Sequence, residues 1–338
     1  MNKIVIDILG GDNAPNAQLE GAILAAARNT DLHFILIGDE SIIKPRVEEA
    51  GIIRRCEIIH TTENISCDEA PTVVRTKTNS SIALGMEALR KRDDAAAFVS
   101  SGSTGAVLAG AVMRVGRIPG VSRPALCPLL PTKKPGVKTM VVDVGANVDC
   151  RPEHLLHFAI MGSEFMRARG VENPRVALVN VGVEDKKGNE LTAATFELLK
   201  QTDLNFVGNM ECKDAFSGDY DVLICDGFVG NVLLKTAEGS MKMLMTMMRE
   251  KMTSNFITKM GALLVKKKLK ELKAELSDEE VGGSVFIGAK KPIVKAHGSS
   301  NAIAFSNAIL VAARAVELDI NTRIEAAIAR NSLGNTGE

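Results

Sequence analysis

Short apolar runs rich in valine and isoleucine alternate along this chain with longer stretches whose apolar residues recur at helical spacing. The runs Lys3 to Leu9, His33 to Gly38, Glu57 to His60, Ala95 to Ser100, Thr139 to Val144, Arg175 to Val181, Asn205 to Gly208 and Asp221 to Asp226 read as strands. They are apolar nearly throughout instead of alternating, which is the mark of strands covered on both faces. Helices are expected after most of them, including apolar ones over Val107 to Val115 and Ala302 to Ala315. The pattern predicts an α/β fold with a mostly parallel sheet and helices on both faces. The connection from Pro119 to Pro135 holds five of the eleven prolines, so it is no regular helix and is read as a joint between two lobes. No fixed-period repeat and no low-complexity tract interrupts the pattern.

Strand exits carry the candidate chemistry. The first strand ends in Asp7-Ile8-Leu9-Gly10-Gly11-Asp12, with Pro15 placed where an early helical position tolerates a missing N–H. Others end in Ser100-Ser101-Gly102-Ser103-Thr104-Gly105-Ala106, in Asp143-Val144-Gly145-Ala146-Asn147-Val148-Asp149, in Asn180 to Gly188 and in Asp226-Gly227-Phe228-Val229-Gly230-Asn231. In a parallel sheet all such exits lie along one edge, where ligands bind, so turns distant in sequence are expected to converge. Glycines let backbone N–H groups approach an anion, and helix amino termini add partial positive charge, so a phosphate-like ligand is expected. The hydroxyls of Ser101, Ser103 and Thr104 add donors. Lys186 and Lys187 add full charge, unless they form a solvated turn beside Glu184 and Asp185. In His297-Gly298-Ser299-Ser300-Asn301, Ser300 or Asn301 either caps the helix that follows or meets ligand. Arg75, Lys77, Asn79, Ser80 and Ser81 form a weaker candidate for a phosphate contact.

Several function classes drop out. Neither G-x-x-x-x-G-K-[ST] nor G-x-G-x-x-G is present, so a nucleotide cofactor is not indicated, and no G-x-S-x-G elbow offers a covalent nucleophile. Six scattered cysteines without a C-x-x-C pair argue against a zinc ribbon or a disulfide scaffold. His154 and His157 lie one helical turn apart but lack the H-E-x-x-H arrangement, and no metal is expected. The apolar start carries Asp7 and reads as a strand instead of a signal peptide, and no run of about 18 apolar residues appears. A cytoplasmic protein is expected. At 338 residues, 46% hydrophobic and 24% charged, the chain is long enough for a large core, and one domain spanning 1–338 with an appendage at 240–276 is expected.

That appendage is hidden by the overall balance of 41 basic against 41 acidic residues. Between Ser240 and Leu276 there are nine basic and three acidic residues, and seven of the fourteen methionines fall between Met241 and Met260. Phe256, Ile257, Met260, Leu263 and Leu264 recur at helical spacing, and Lys266, Lys267 and Lys268 follow. Two readings stand: a buried or dimer-forming helix, or an interfacial helix whose apolar side enters lipid while lysines meet anionic headgroups. Five such side chains at roughly 1.5 to 3 kcal/mol each give on the order of 10 kcal/mol gross. Each lysine adds about 1 kcal/mol on an anionic leaflet. The methionines supply adaptable apolar surface for a subunit interface or an acyl-chain wall.

Taken together, DILGGD (Asp7 to Asp12), SGSTGA (Ser101 to Ala106), DVGANVD (Asp143 to Asp149), NVGVEDKKGNE (Asn180 to Glu190), DGFVGN (Asp226 to Asn231) and HGSS (His297 to Ser300) form a specific set. It resembles the bacterial phosphate:acyl-acyl-carrier-protein acyltransferases of phospholipid synthesis (PlsX type), and the likeness runs from Lys3 to Glu317. Leu9 stands where methionine is usual there, Ser101 and Ser103 where alanine and asparagine are usual, and Ala70 intervenes before Pro71. The resemblance implies attack of inorganic phosphate on the thioester of a long-chain acyl group carried by acyl carrier protein, with no cofactor. Lys187, with Lys186 as second choice, is then expected to supply positive charge, and the Asn231 amide to donate to the oxyanion. Gly10, Gly11, Ser101, Ser103 and Thr104 would cradle phosphate, with Asp12 and Asn147 orienting the loops. It further implies an architecture like isocitrate and isopropylmalate dehydrogenases, a homodimer, and a helical hairpin at 240–276 touching an anionic membrane. There Phe256, Met260, Leu263, Leu264, Lys266, Lys267 and Lys268 would meet membrane or carrier. Two rivals are a short-chain phosphate acyltransferase using coenzyme A thioesters and a noncatalytic membrane-associated scaffold. The basic apolar segment speaks against the first, and the retained glycine-polar turns against the second.

Overall fold

A computed structural model describes residues 2–276 and 282–333. The chain first lays down β1 (Lys3–Asp7), α1 (Asn16–Arg28), β2 (His33–Gly38), α2 (Glu40–Glu49) and β3 (Cys56–His60). α3 (Ser81–Lys91), β4 (Ala95–Ser100) and α4 (Thr104–Gly110) follow, and α4 continues to Val115 with wider π winding. Two strands of three residues, β5 (Ala125–Cys127) and β6 (Leu129–Pro131), lead to β7 (Lys138–Val142) and α5 (Pro152–Ala168). Next come β8 (Val176–Asn180), α6 (Glu190–Lys200), β9 (Phe206–Glu211) and β10 (Val222–Ile224). The chain closes with α7 (Gly227–Met252), α8 (Phe256–Leu276), β11 (Ser284–Ile287), β12 (Ile293–Lys295), α9 (Ala302–Glu317) and α10 (Ile320–Leu333).

Two sheets result. One has seven strands in the order β3-β2-β1-β4-β12-β11-β5, and the other has five in the order β6-β7-β10-β8-β9. Within the first, β3, β2, β1, β4 and β12 run parallel while β11 is antiparallel to both its neighbours. Within the second, β7, β10, β8 and β9 run parallel and β6 is antiparallel. The molecule is thus an α/β protein with mostly parallel sheets and helices on both sides. Its buried residues form two apolar clusters, each drawing side chains from both sheets.

The proline-dense connection joins these sheets at short range. Its β5 half pairs with β11 in the first sheet and its β6 half with β7 in the second, with Pro128 between them. Pro131 ends an edge strand, where a missing N–H costs no ladder bond. α1 packs closely on α9: a Cβ on Gly21 would lie 3.0 Å from the Ala302 carbonyl oxygen and 3.0 Å from the Phe305 ring.

Register decides what the exits can do. Ile6 pairs with Val99 and Leu36, and Lys295 pairs with Ser100, so β1, β4 and β12 finish almost level and release their turns side by side. Ile224 likewise pairs with Val142 and Leu178, so β7, β10 and β8 release theirs together.

Candidate active site

The turn after β1 is held by charge buried beneath it. The Asp7 carboxylate accepts the N–H groups of Leu9 and Gly10, each at 3.1 Å, and the Ser100 hydroxyl at 2.7 Å. Burial pushes the Asp7 pKa up, and these donors work against that shift. The Gly10 carbonyl accepts the Ser101 hydroxyl and the Gln18 amide, both at 2.8 Å, which ties the β1 exit to the β4 exit. Asp12 donates its N–H to the Gly298 carbonyl at 2.8 Å, and Asn13 donates to the Ser299 carbonyl at 3.1 Å, which ties in the β12 exit. Gly11 sits at φ +98°, where a Cβ would lie 2.8 Å from Ser101 Oγ and 2.9 Å from the Gly298 oxygen. Only glycine lets three turns meet this closely.

A parallel arrangement stands on the second sheet. The buried Asp143 carboxylate accepts the N–H groups of Leu126 (2.9 Å), Ala146 (3.2 Å) and Asn147 (2.6 Å) and the Asn147 amide (3.0 Å). That amide also donates to the Pro124 carbonyl at 2.7 Å, and the Asn147 carbonyl accepts the Gly227 N–H at 2.7 Å. Asn147 is therefore a tie between the proline connection, the β7 exit and the start of α7. Asp226 caps α7 by accepting the Val229 N–H at 2.8 Å. Asn231 follows as the fifth residue of α7, exposed and adjacent to Gly145.

The two sets of exits open on one cavity of about 910 Å³. Thr104, Asn231, Lys295, His297, Ser299 and Ser300 line it at the strand exits, Lys235, Glu238, Lys242, Thr246 and Arg249 add polar and charged groups along α7, and Leu126, Leu129, Leu130, Val144, Phe216, Leu234, Met241 and Met245 supply its apolar walls. The lining on α7 recurs every three or four residues from Asn231 to Arg249, one helix face about 27 Å long at 1.5 Å per residue. The cavity is a groove with hydroxyl, amide and ammonium groups near the start of α7 and, further along it, Met241 and Met245 beside Lys242, Thr246 and Arg249.

Of the expected site residues, the structure brings Thr104 and Asn231 into this cavity. Gly10, Gly11, Asp12 and Ser101 stand behind it, interlocked as described, and Ser101 spends its hydroxyl proton on Gly10. Ser103 caps α4 by accepting the Ala106 N–H at 3.4 Å. Lys186 and Lys187 are exposed on the β8–α6 turn and do not line the cavity. That turn is fixed by Asn180, whose amide donates to the Lys187 carbonyl at 2.9 Å, and by Asn209, whose amide donates to the Glu184 carbonyl at 2.9 Å. Upstream, Ser80 caps α3 and Lys77 pairs with Glu69 at 2.7 Å, so neither reaches toward an anion. Asn301 caps α9 by accepting the Ala304 N–H at 2.9 Å, which leaves Ser300 to the cavity.

Lys295 is the residue that sequence pattern leaves unmarked. It ends β12 at 8% exposure, and burial pushes its pKa down to about 8 against the opposing influence of Cys67, Asp7 and Asp12. A lysine in the run Pro292-Ile293-Val294-Lys295-Ala296 looks ordinary until the strand is placed. The signal was its position two residues before His297-Gly298-Ser299-Ser300.

Away from the exits, the helix face expected at Phe256 to Leu264 is bare. Phe256 is 78% and Leu264 87% exposed, and Ile257, Met260 and Leu263 are exposed as well. Lys266, Lys267 and Lys268 follow on the same helix, with Lys268 pairing with Glu271 at 2.8 Å. A buried role for this face is therefore excluded within one chain. Among the described residues no three histidine, cysteine or acidic groups gather as metal ligands, and no helix is long and apolar enough to cross a membrane.

A model of the fatty acid synthesis protein family matches residues 2–323. The chain belongs to this family. A phosphate acyltransferase from Brevibacillus brevis is 42% identical over 336 residues, covering 99% of each chain. A phosphotransacetylase from Streptococcus pyogenes shares the fold at TM-score 0.62 and 18% identity, covering 94% of each chain. A protein assigned as a 4-hydroxythreonine-4-phosphate dehydrogenase from Salmonella typhimurium shares it at TM-score 0.50 and 13% identity, covering 93% of this chain and 99% of its own.

Proposed function

We propose that this chain is an enzyme that transfers a long-chain fatty acyl group from the thioester of acyl carrier protein to inorganic phosphate. One observation carries the proposal: a single groove combines polar donors at the strand exits with an apolar wall that includes Leu129, Leu130, Phe216, Leu234, Met241 and Met245. An anion and an apolar chain need opposite surroundings, and a catalyst joining them must offer both side by side. Membership of the fatty acid synthesis family supports the same reading.

In the reaction a phosphate oxygen forms a bond to the thioester carbonyl carbon, the carbon–sulfur bond breaks, and the thiolate leaves and takes up a proton. A thiol with a pKa of about 8.5 leaves readily, so no strong general acid is required. What remains is positioning and stabilisation of the carbonyl oxygen as it gains charge. Asn231 would donate its amide to that oxygen. Thr104 would donate its hydroxyl to phosphate, with Gly10, Gly11, Asp12, Ser101, Ser103 and Asn147 holding the exits in place. β8 neighbours β10, so Lys187, with Lys186 second, would bring positive charge to the donor from the adjacent exit.

We further propose a homodimeric, cytoplasmic protein resting on an anionic membrane surface through a hairpin of α7 and α8. Phe256, Met260, Leu263 and Leu264 would enter the lipid, with Lys266, Lys267 and Lys268 at the headgroups or the acidic carrier. An architecture like isocitrate and isopropylmalate dehydrogenases and one domain spanning 1–338 complete the proposal. Residues 1, 277–281 and 334–338 of that span lie outside the described residues. Thiol release from palmitoyl-carrier and palmitoyl-coenzyme A thioesters, each with and without phosphate, tests the reaction. Release that requires phosphate and favours the carrier is expected. Equal release without phosphate would make the chain a thioesterase, and preference for coenzyme A would remove the carrier.

A further inference from the structure

Lys295 is a buried ammonium with the buried Asp7 nearby but in no ion pair with it. Its Nζ donates to the Ala296 carbonyl, and among the described residues no carboxylate lies within ion-pair distance of it. An ammonium carries three donors, and burying it with one neutral acceptor is costly unless an anion joins it. The side chain opens on the cavity, in the lining that also holds Thr104, Asn231 and Ser300. The groove is the side from which an anion can reach it.

We propose that Lys295, rather than the exposed Lys187, is the cation that binds the phosphate substrate. The proposal rests on acyl transfer to phosphate being the reaction. Three groups of the site then converge on one oxyanion: the Lys295 ammonium from β12, the Thr104 hydroxyl from α4 and the Ser300 hydroxyl before α9. Asn231 stays free for the carbonyl oxygen. Phosphate sits where the exits of the first sheet meet, and the acyl chain runs from there along α7.

Protonation of Lys295 then controls affinity. The groups facing it are Asp7 from β1, Asp12 from the β1–α1 turn, Cys67 from the segment before α3 and Lys235 from α7. Its strand neighbours Ser100 on β4 and Ser284 on β11 are uncharged. Burial lowers its pKa to about 8, Cys67, Asp7 and Asp12 oppose that shift, and Lys235 adds to it. Phosphate binds the protonated form, so affinity is full below that value and is lost as pH rises through it.

The test titrates inorganic phosphate alone into the full chain by calorimetry, with steady-state kinetics beside it. Lys295→Met should weaken phosphate binding and raise the phosphate KM by at least about tenfold, while the acyl-donor KM changes by less than about twofold. Lys295→Arg should recover part of the loss. For the native chain, phosphate affinity should fall by about tenfold between about pH 8 and about pH 9.5. A folded Lys295→Met chain that binds phosphate like the native one overturns the proposal. If that variant does not fold, the native pH profile decides, and a flat profile overturns it. Phosphate bound through Lys295 without any phosphate-dependent thiol release would leave the anion site standing and remove acyl transfer. Phosphate-dependent release undisturbed by Lys295→Met would do the reverse.

Discussion

At the residue scale, function depends on which polar groups the exits leave free after holding themselves together. Asp7, Asp143 and Asn147 are consumed by internal hydrogen bonds, whereas Asn231 is exposed at the groove. Asn231→Ala and Lys187→Ala should each lower turnover by at least about tenfold, equal to about 1.4 kcal/mol of transition-state stabilisation, with circular dichroism unchanged. Native rates for both would remove the proposed oxyanion and donor roles. If Lys295 binds phosphate, Lys187→Ala should slow turnover without moving phosphate affinity. The glycines and hydroxyls of these turns were legible because each motif carries its residues together. Lys295 was not, since nothing local in a strand of three residues tells whether a lysine will be solvated or enclosed.

At the element scale, periodicity located the long runs well. His33–Gly38 and Ala95–Ser100 are strands over those same residues, while β7 stops at Val142 because Asp143 turns inward to collect N–H groups. β5, β6, β11 and β12 were missed, being strands of three or four residues defined by partners far away in sequence. Proline marked the first pair as irregular, although its two halves are edge strands of different sheets. The helix pair α7 and α8 shows the opposite case: composition singled it out, and Phe256, Ile257, Met260, Leu263 and Leu264 of α8 stand in solvent. Because Phe256 and Leu264 bury nothing within the chain, Phe256→Glu combined with Leu264→Glu should leave the melting temperature unchanged. Cosedimentation with anionic phosphatidylglycerol vesicles should be lost, with the solution mass still that of a dimer. Vesicle binding that survives both changes would refute the interfacial helix.

Across the whole molecule, two mostly parallel sheets deliver exits to one groove, those of β4 and β12 from the first and of β7 and β10 from the second. Parallel strands alone align the exits within a sheet. Bringing the two sets together takes the β5–β6 connection, whose backbone meets both β11 and β7, and whose Leu126 N–H is held by Asp143. This convergence was predictable in kind from parallel topology, but not the partition into two sheets, because strand order is set by tertiary packing. The central claim is that the groove presents phosphate itself to the acyl carbonyl, with water excluded from attack. Incubating the chain with palmitoyl-carrier and phosphate labelled throughout with oxygen-18, then weighing the product by mass spectrometry, tests it most directly. The account predicts palmitoyl phosphate that retains every labelled oxygen; unlabelled free palmitate as the first product would contradict it.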